Sequence, residues 1–314
     1  MTAKKAPPAA KTAGPAKTTQ AARAILRHPR ACAGAALFVA LFAGAALLWR
    51  HVRETVLAGP DYRVAMEQFV VTPPPVWIVT PVRDEAIRNA SLDGGPSVLD
   101  EDLVQRVAQA FSAHPWVERV ERVEKRHPAR VEIALVYRRP VCMVELPGGA
   151  GPEGGLYPVD AGGMVLPTAD FSPLEAQKYP RLVGITSLPL GAAGTSWGDA
   201  RVAGGAAIAA ALLDCWTELK LARIEPASPS PGEEDIAYDL YTEAGTRIVW
   251  GRAPNGPTPG EAPAEAKVAK LRKFAADRAG GLDGADGVLR TIDVRPWNDI
   301  PQPPERTAAR DEER

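Results

Sequence analysis

The stretch PWVERVERVEKRHPARVEIALVYRRPVCMVEL, residues 115–146, decides how the rest of the chain is read. Its second half alternates. Val131, Ile133 and Leu135 fall on one face and Glu132 and Ala134 on the other, the period of a half-buried strand. Its first half does not alternate. Val117, Val120 and Val123 lie three apart, so a regular strand would scatter them over both faces. A bulge near Arg119 or Arg122 restores their register. His127-Pro128 then reads as the turn of a hairpin.

Toward the N-terminus, Leu103, Val104, Val107, Ala108 and Phe111 make one face of an amphipathic helix that ends before Pro115. Asp100 is its expected cap. Thr80-Pro81 opens a shorter helix with Asp84 and Glu85 in the first turn, and the Gly/Pro/Ser stretch from Asp93 to Ser97 breaks it. Tyr62 to Thr72 and Val76 to Val79 read as extended on either side of Pro73, Pro74 and Pro75. The unit over 62–140 is therefore strand, helices and hairpin.

Toward the C-terminus the chain turns strand-rich with Gly/Pro loops. Val141 to Leu146 and Leu156 to Val159 read as strands around a Gly-rich loop, and Arg181 to Ile185 as another. Val202 to Leu221 reads as a long apolar helix. Ala237 to Thr242 and Thr246 to Trp250 form a hairpin, Ala264 to Arg278 a basic helix, and Val288 to Val294 a last strand. The Pro-rich stretches from Pro226 to Pro231 and Pro254 to Pro263 read as surface loops. This gives a second, mixed β domain with flanking helices over 141–300, a charged tail over 301–314, and an α+β class overall.

The 314 residues carry a formal charge of −1, which argues against a dedicated nucleic-acid binder. That neutrality is a sum of opposites. Residues 1–30 hold seven Lys or Arg and no acid, and the remainder carries a balance of −8. Between them, residues 31–49 run 19 positions without a charge. As a helix they reach roughly 28 Å, against about 30 Å of bilayer hydrocarbon. Trp49 is placed as an interfacial anchor, and the basic lead puts the N-terminus in the cytoplasm with the large remainder outside. The chain thus reads as a single-pass protein of the inner (plasma) membrane with a disordered cytoplasmic tail over 1–30. A signal cleaved after Val56-Leu57-Ala58 is the competing reading; the long basic lead and long apolar run favour a retained span.

The motifs that could carry chemistry are weak. Gly194-Thr195-Ser196-Trp197-Gly198 matches the G-x-S-x-G nucleophile elbow, but all four histidines, at 28, 51, 114 and 127, precede it. Gly149-Ala150-Gly151-Pro152-Glu153-Gly154 matches G-x-G-x-x-G without the strand–helix–strand frame of a phosphate site. His114 and His127 lack a cysteine partner and read as surface or turn residues. Cys142 and Cys215 read as buried packing residues, with a bridge between them left open. Asp160 and Asp293 read as strand-end carboxylates bonding local backbone. Lys267, Lys270, Arg272 and Lys273 read as a solvated helix face. No catalytic residue, cofactor, metal or small-molecule substrate is expected.

A family resemblance joins these pieces. Pro115-Trp116-Val117, Val120, Val123, Lys125, Pro128, Val131-Glu132-Ile133 and Tyr137-Arg138-Arg139-Pro140-Val141 resemble the FtsQ/DivIB bacterial divisome proteins, in the part running from the POTRA domain into the next domain. Tyr157-Pro158-Val159-Asp160 with Gly162, Gly163, Val165 and Leu166 resembles the family's VD-x-x-G-x-V segment. Tyr179 to Gly184, Gly245 to Gly251, the helix of Lys267, Lys270 and Leu271, and Ile292-Asp293-Val294-Arg295 follow in the family's order. The resemblance covers about residues 23–300; the chain departs from it at Tyr137 and after Arg295. It implies a non-catalytic bitopic scaffold with a POTRA-like domain over 62–140. Such a scaffold binds other bitopic division proteins and coordinates septal wall synthesis. The expected partner surface is the last strand, Arg290, Thr291, Ile292, Asp293, Val294 and Arg295, with Trp297 beside it, open to strand addition. The alternatives are a POTRA-bearing protein of secretion or outer-membrane assembly, and an anchored extracytoplasmic hydrolase built on Ser196.

Overall fold

The computed structural model describes residues 29–57, 59–148, 155–227, 236–256, 260–285 and 289–297. Two compact units result, Met1–Arg63 and Val64–Arg314. In the first, helix α1 runs Pro29–Leu57, beyond both ends of the expected span. Its window Ala36–Arg53 is apolar enough to cross a membrane. Leu37, Phe38, Leu41, Phe42, Leu47 and Leu48 on it are all exposed. The predicted tails, over 1–30 and 301–314, lie outside the described residues apart from Pro29 and Arg30.

The second unit holds two sheets, each with its own apolar core. In chain order its first elements are β1 (Phe69–Val71), α2 (Val82–Asn89), α3 (Leu103–Ser112), β2 (Val117–Arg126) and β3 (Arg130–Tyr137). The strands form a three-stranded sheet in the order β1-β3-β2, with β1 parallel to β3 and β2 antiparallel to it. Strand β2 carries two register shifts, between Val117 and Arg119 and between Val120 and Arg122. Glu118 and Glu121 are the extra residues. Each shift reverses the alternation once, which lets Val117 be buried and Val120 and Val123 be half-buried in the same core. Leu103, Val107 and Phe111 of α3 close that core.

Three expectations change here. The extended stretch Tyr62 to Thr72 is broken by short 3-10 turns, Pro60–Tyr62 and Met66–Gln68, leaving a strand of only three residues. Val76 to Val79 forms no strand; three preceding prolines offer no N–H for a ladder. Asp100 does not cap α3. Its Oδ2 accepts the Ser97 N–H at 3.2 Å, and Asp102, with no capping bond, holds the N-cap position.

The second sheet is built from β4 (Pro140–Leu146), β5 (Gly155–Asp160), β6 (Arg181–Leu182), α4 (Ala200–Leu212), β7 (Leu221–Pro226), β8 (Ala237–Thr242), β9 (Arg247–Arg252), α5 (Ala264–Ala276) and β10 (Thr291–Asp293). Seven strands lie in the order β10-β9-β8-β7-β6-β4-β5. One row of directly paired residues, Val144, Leu182, Ile224, Leu240, Ile248 and Ile292, crosses six of them. Every member is buried, so this row fixes the inner face against α4 and α5. Helix α4 lies close on it: a Cβ at Gly205 would come within 2.6 Å of Leu182. The neighbouring row on the outer face is Arg181, Arg223, Tyr241, Arg247 and Thr291.

The long helix expected over 202–221 ends at Leu212, and Leu221 opens strand β7 in the middle of the sheet. A register shift between Leu221 and Arg223 hides its alternation, as in β2. The last strand is shorter than expected, and the basic helix ends at Ala276. The Gly149–Gly154 motif lies outside the described residues, as do parts of both Pro-rich loops. Cys142 and Cys215 are both buried and free, so they do not pair. His114 is buried rather than on the surface.

The two sheets are tied by side chains that cross between them. Trp116 donates its indole N–H to Asp170 Oδ2 at 2.7 Å, and Thr80 donates its hydroxyl to Asp170 Oδ1 at 2.6 Å. Trp77 donates its indole N–H to the Arg138 carbonyl at 3.1 Å. Arg138, just past β3, pairs with Asp160 at the end of β5 at 2.6 Å. Leu166 and Phe171 pack into the first core.

Candidate functional site

Strand β10 bounds the seven-stranded sheet and is held by β9 alone among the described residues. It runs parallel to β9, pairing Thr291 with Arg247, Ile292 with Ile248 and Asp293 with Val249. The Arg247 N–H donates to the Arg290 carbonyl at 2.9 Å, and the Val294 N–H donates to the Val249 carbonyl at 3.2 Å. Even-numbered residues therefore turn their backbone groups inward. By the alternation of a strand, Thr291 and Asp293 turn theirs outward.

This divides the predicted partner-binding residues into two groups. Ile292 and Val294 are buried, and their side chains belong to the core. Arg290 is half-buried and donates from its guanidinium to the Asp283 carbonyl at 3.3 Å. Thr291 is exposed. Asp293 and Arg295 form a two-pronged pair, Nε to Oδ1 at 3.0 Å and Nη2 to Oδ2 at 2.7 Å. Asp293 Oδ1 also accepts the Arg295 N–H at 3.0 Å, which is the local backbone bonding expected of it. The Arg295 hydrogen bond holds the Asp293 carboxyl below its usual 3.8. Trp297 is 67% exposed.

The free edge is short. At its C-terminal end the Arg295 carbonyl accepts the Ala262 N–H at 2.8 Å, so the segment ahead of α5 covers the strand there. Gly251 permits that closure. A Cβ there would come within 2.3 Å of Glu261 Oε2 and 2.8 Å of Arg295 Cγ.

Two supporting residues escaped the sequence reading. Lys267 is buried beneath the edge rather than solvated. Its ammonium donates to the Trp250 carbonyl at 2.8 Å and to Glu261 Oε2 at 2.6 Å. Burial lowers its pKa, with Glu261 opposing. The signal was present, since Lys267, Leu271 and Phe274 share the buried face of α5 at i, i+4 and i+7. Leu289, 67% exposed and just ahead of β10, is the other. It reads as a strand residue, and nothing in the sequence marks it as exposed.

The weak motifs find other uses. Ser196 is exposed, lies on an isolated bridge to Met164 and accepts the Gly198 N–H at 3.3 Å. The helix that follows begins at Ala200 and is capped by Asp199. Asp160 accepts the Gly162 and Met164 N–H groups at 2.9 Å, the strand-end role expected of it, and adds the ion pair to Arg138. Among the described residues, no group of three or more His, Cys, Asp or Glu is placed to hold a metal ion. Searches against protein-family models and curated proteins find no match to this chain.

Proposed function

We propose that this chain is a bitopic scaffold of the bacterial divisome, without catalytic activity, that binds other bitopic division proteins and coordinates septal wall synthesis. The N-terminus faces the cytoplasm and both sheets lie outside the inner membrane, the orientation that the basic lead favours. The strand–helix–helix–hairpin order of residues 69–137 serves as the POTRA-like part, and the seven-stranded sheet as the partner-binding part.

The observation that carries the reading is the edge of β10, where Thr291 and Asp293 turn backbone groups away from the sheet. An extended partner segment adds there as a further strand, with main-chain hydrogen bonds supplying affinity. Leu289 and Trp297 flank the edge with apolar surface. The short length of the strand and the Asp293–Arg295 pair limit unspecific pairing.

A fluorescent fusion of the full chain, followed through the cell cycle, tests the reading. The expected signal gathers at the division septum. A uniform envelope signal throughout the cycle contradicts it.

A further inference from the structure

The turn that leads from α3 into β2 holds a proton-sensitive side chain at the junction of the two sheets, apart from β10 and independent of the divisome reading. His114 sits there with its side chain only 3% exposed. Segments of the second sheet region clamp the residues that follow it. A Cβ at Gly194 would lie 3.1 Å from Pro115 Cα, and the Phe171 and Trp116 ring centroids are 6.1 Å apart. Trp116 is fully buried, and its indole N–H is tied to Asp170 Oδ2 at 2.7 Å.

The imidazole holds the same tryptophan by its backbone. His114 Nδ1 accepts the Trp116 N–H at 3.2 Å, so the ring is neutral, with its proton on Nε2, 3.4 Å from Glu85 Oε2. A second proton can go only to Nδ1. Both ring nitrogens are then donors, and Nδ1 faces the Trp116 N–H with no lone pair to accept it. Among the described residues, the charges acting on the ring are Glu85 on α2 and Asp170 on the 3-10 turn Thr168–Asp170; α3 and the β2–β3 hairpin contribute none. Both carboxylates favour the charged ring, and burial outweighs them. Opening the clamp returns the ring to water, where it takes its proton near 6.5.

We propose that His114 is a proton-operated latch between the two sheets, closed while the ring is neutral and released when Nδ1 is protonated. The bond that protonation breaks and a bond that joins the sheets belong to one residue, Trp116, through its backbone and its indole. Release therefore loosens the tie of Trp116 and Thr80 to Asp170. Each sheet keeps its own apolar core, so the sheets part without either unfolding. A proton shifts such an equilibrium only by its preference for the open state. With an open-state value of 6.5, the opening grows by at most about tenfold between pH 7.5 and 5.5.

Hydrogen exchange of the full chain in detergent micelles tests this, read peptide by peptide at about pH 7.5 and 5.5 and corrected for the intrinsic pH dependence of exchange. At the lower pH, opening of residues 114–118 and 166–172 should rise several-fold, toward the limit of about tenfold, while β8 and β9 stay as protected as before. His114→Asn keeps an acceptor for the Trp116 N–H but does not titrate, so its junction should exchange equally at both pH values. Glu85→Gln removes a carboxylate that helps the closed state tolerate the proton, so its rise should be larger; this comparison stands even if His114→Asn fails to fold. Unchanged exchange at the junction, an equal rise in His114→Asn, a smaller rise in Glu85→Gln, or a rise spread evenly over both sheets would overturn the proposal.

Discussion

Lys267 shows how much one buried side chain can govern. It occupies a core position of α5 yet carries a charge, matched by Glu261 and the Trp250 carbonyl. Removing one member of a buried pair costs about 3–5 kcal/mol because the other is stranded. Glu261 keeps Arg252 at 3.4 Å, so Lys267→Ala is expected at the lower end, about 3 kcal/mol by urea unfolding. His114 gives a pH prediction. Its Nδ1 accepts the Trp116 N–H at 3.2 Å, and Nε2 lies 3.4 Å from Glu85 Oε2. Burial lowers its pKa below 6.5, with Glu85 opposing. A base held below its unfolded value binds its proton more readily when unfolded, so its contribution is complete above pH 6.5 and falls as the pH drops through that value. Unfolding measured between pH 7 and 5 should show a smaller loss of stability in His114→Asn than in the unsubstituted chain.

At the scale of elements, the structure separates what a pattern can tell from what it hides. The helices α2 and α3, the β3 strand and the β8–β9 hairpin follow from periodicity and turn residues, because each buries one face of a regular element. The β2 strand was legible only through its failure to alternate, and Glu118 and Glu121 are the physical reason. Deleting Glu121 removes the extra residue and leaves Val120 and Val123 two positions apart, so an unbulged strand keeps both on the core face. The loss of stability should stay within about 1 kcal/mol by chemical denaturation, and a larger loss would show that the bulge itself is needed. Strand β7 was not legible. It follows directly on an apolar helix, and its own bulge breaks the alternation. Close packing makes a further prediction: Gly205→Val forces Leu182 away from α4 and destabilises by about 1–3 kcal/mol in the same assay.

The whole molecule depends on contacts that no sequence pattern shows. Trp116, Thr80 and Asp170 meet across the boundary of the two sheets, although they are up to 90 positions apart. Asp170→Ala leaves the buried Trp116 indole and the Thr80 hydroxyl without their acceptor. Calorimetry should then resolve two unfolding transitions, one for each sheet, where the unsubstituted second unit gives one. The candidate edge was partly legible. Its position as the last strand came from chain order, but the division into inward and outward backbone groups requires the pairing with β9. That division also selects the variant for the decisive test. A proline at Ile292 or Val294 would break the ladder to β9, whereas Asp293→Pro removes an outward N–H and leaves the ladder bonds of Arg290 and Val294 in place. The most direct measurement is co-purification of the full chain from cross-linked membranes, with and without Asp293→Pro. The expected result is that the unsubstituted chain captures bitopic division proteins and the variant loses them while keeping its unfolding profile. Equal capture by both chains, or no division proteins with either, would contradict the account.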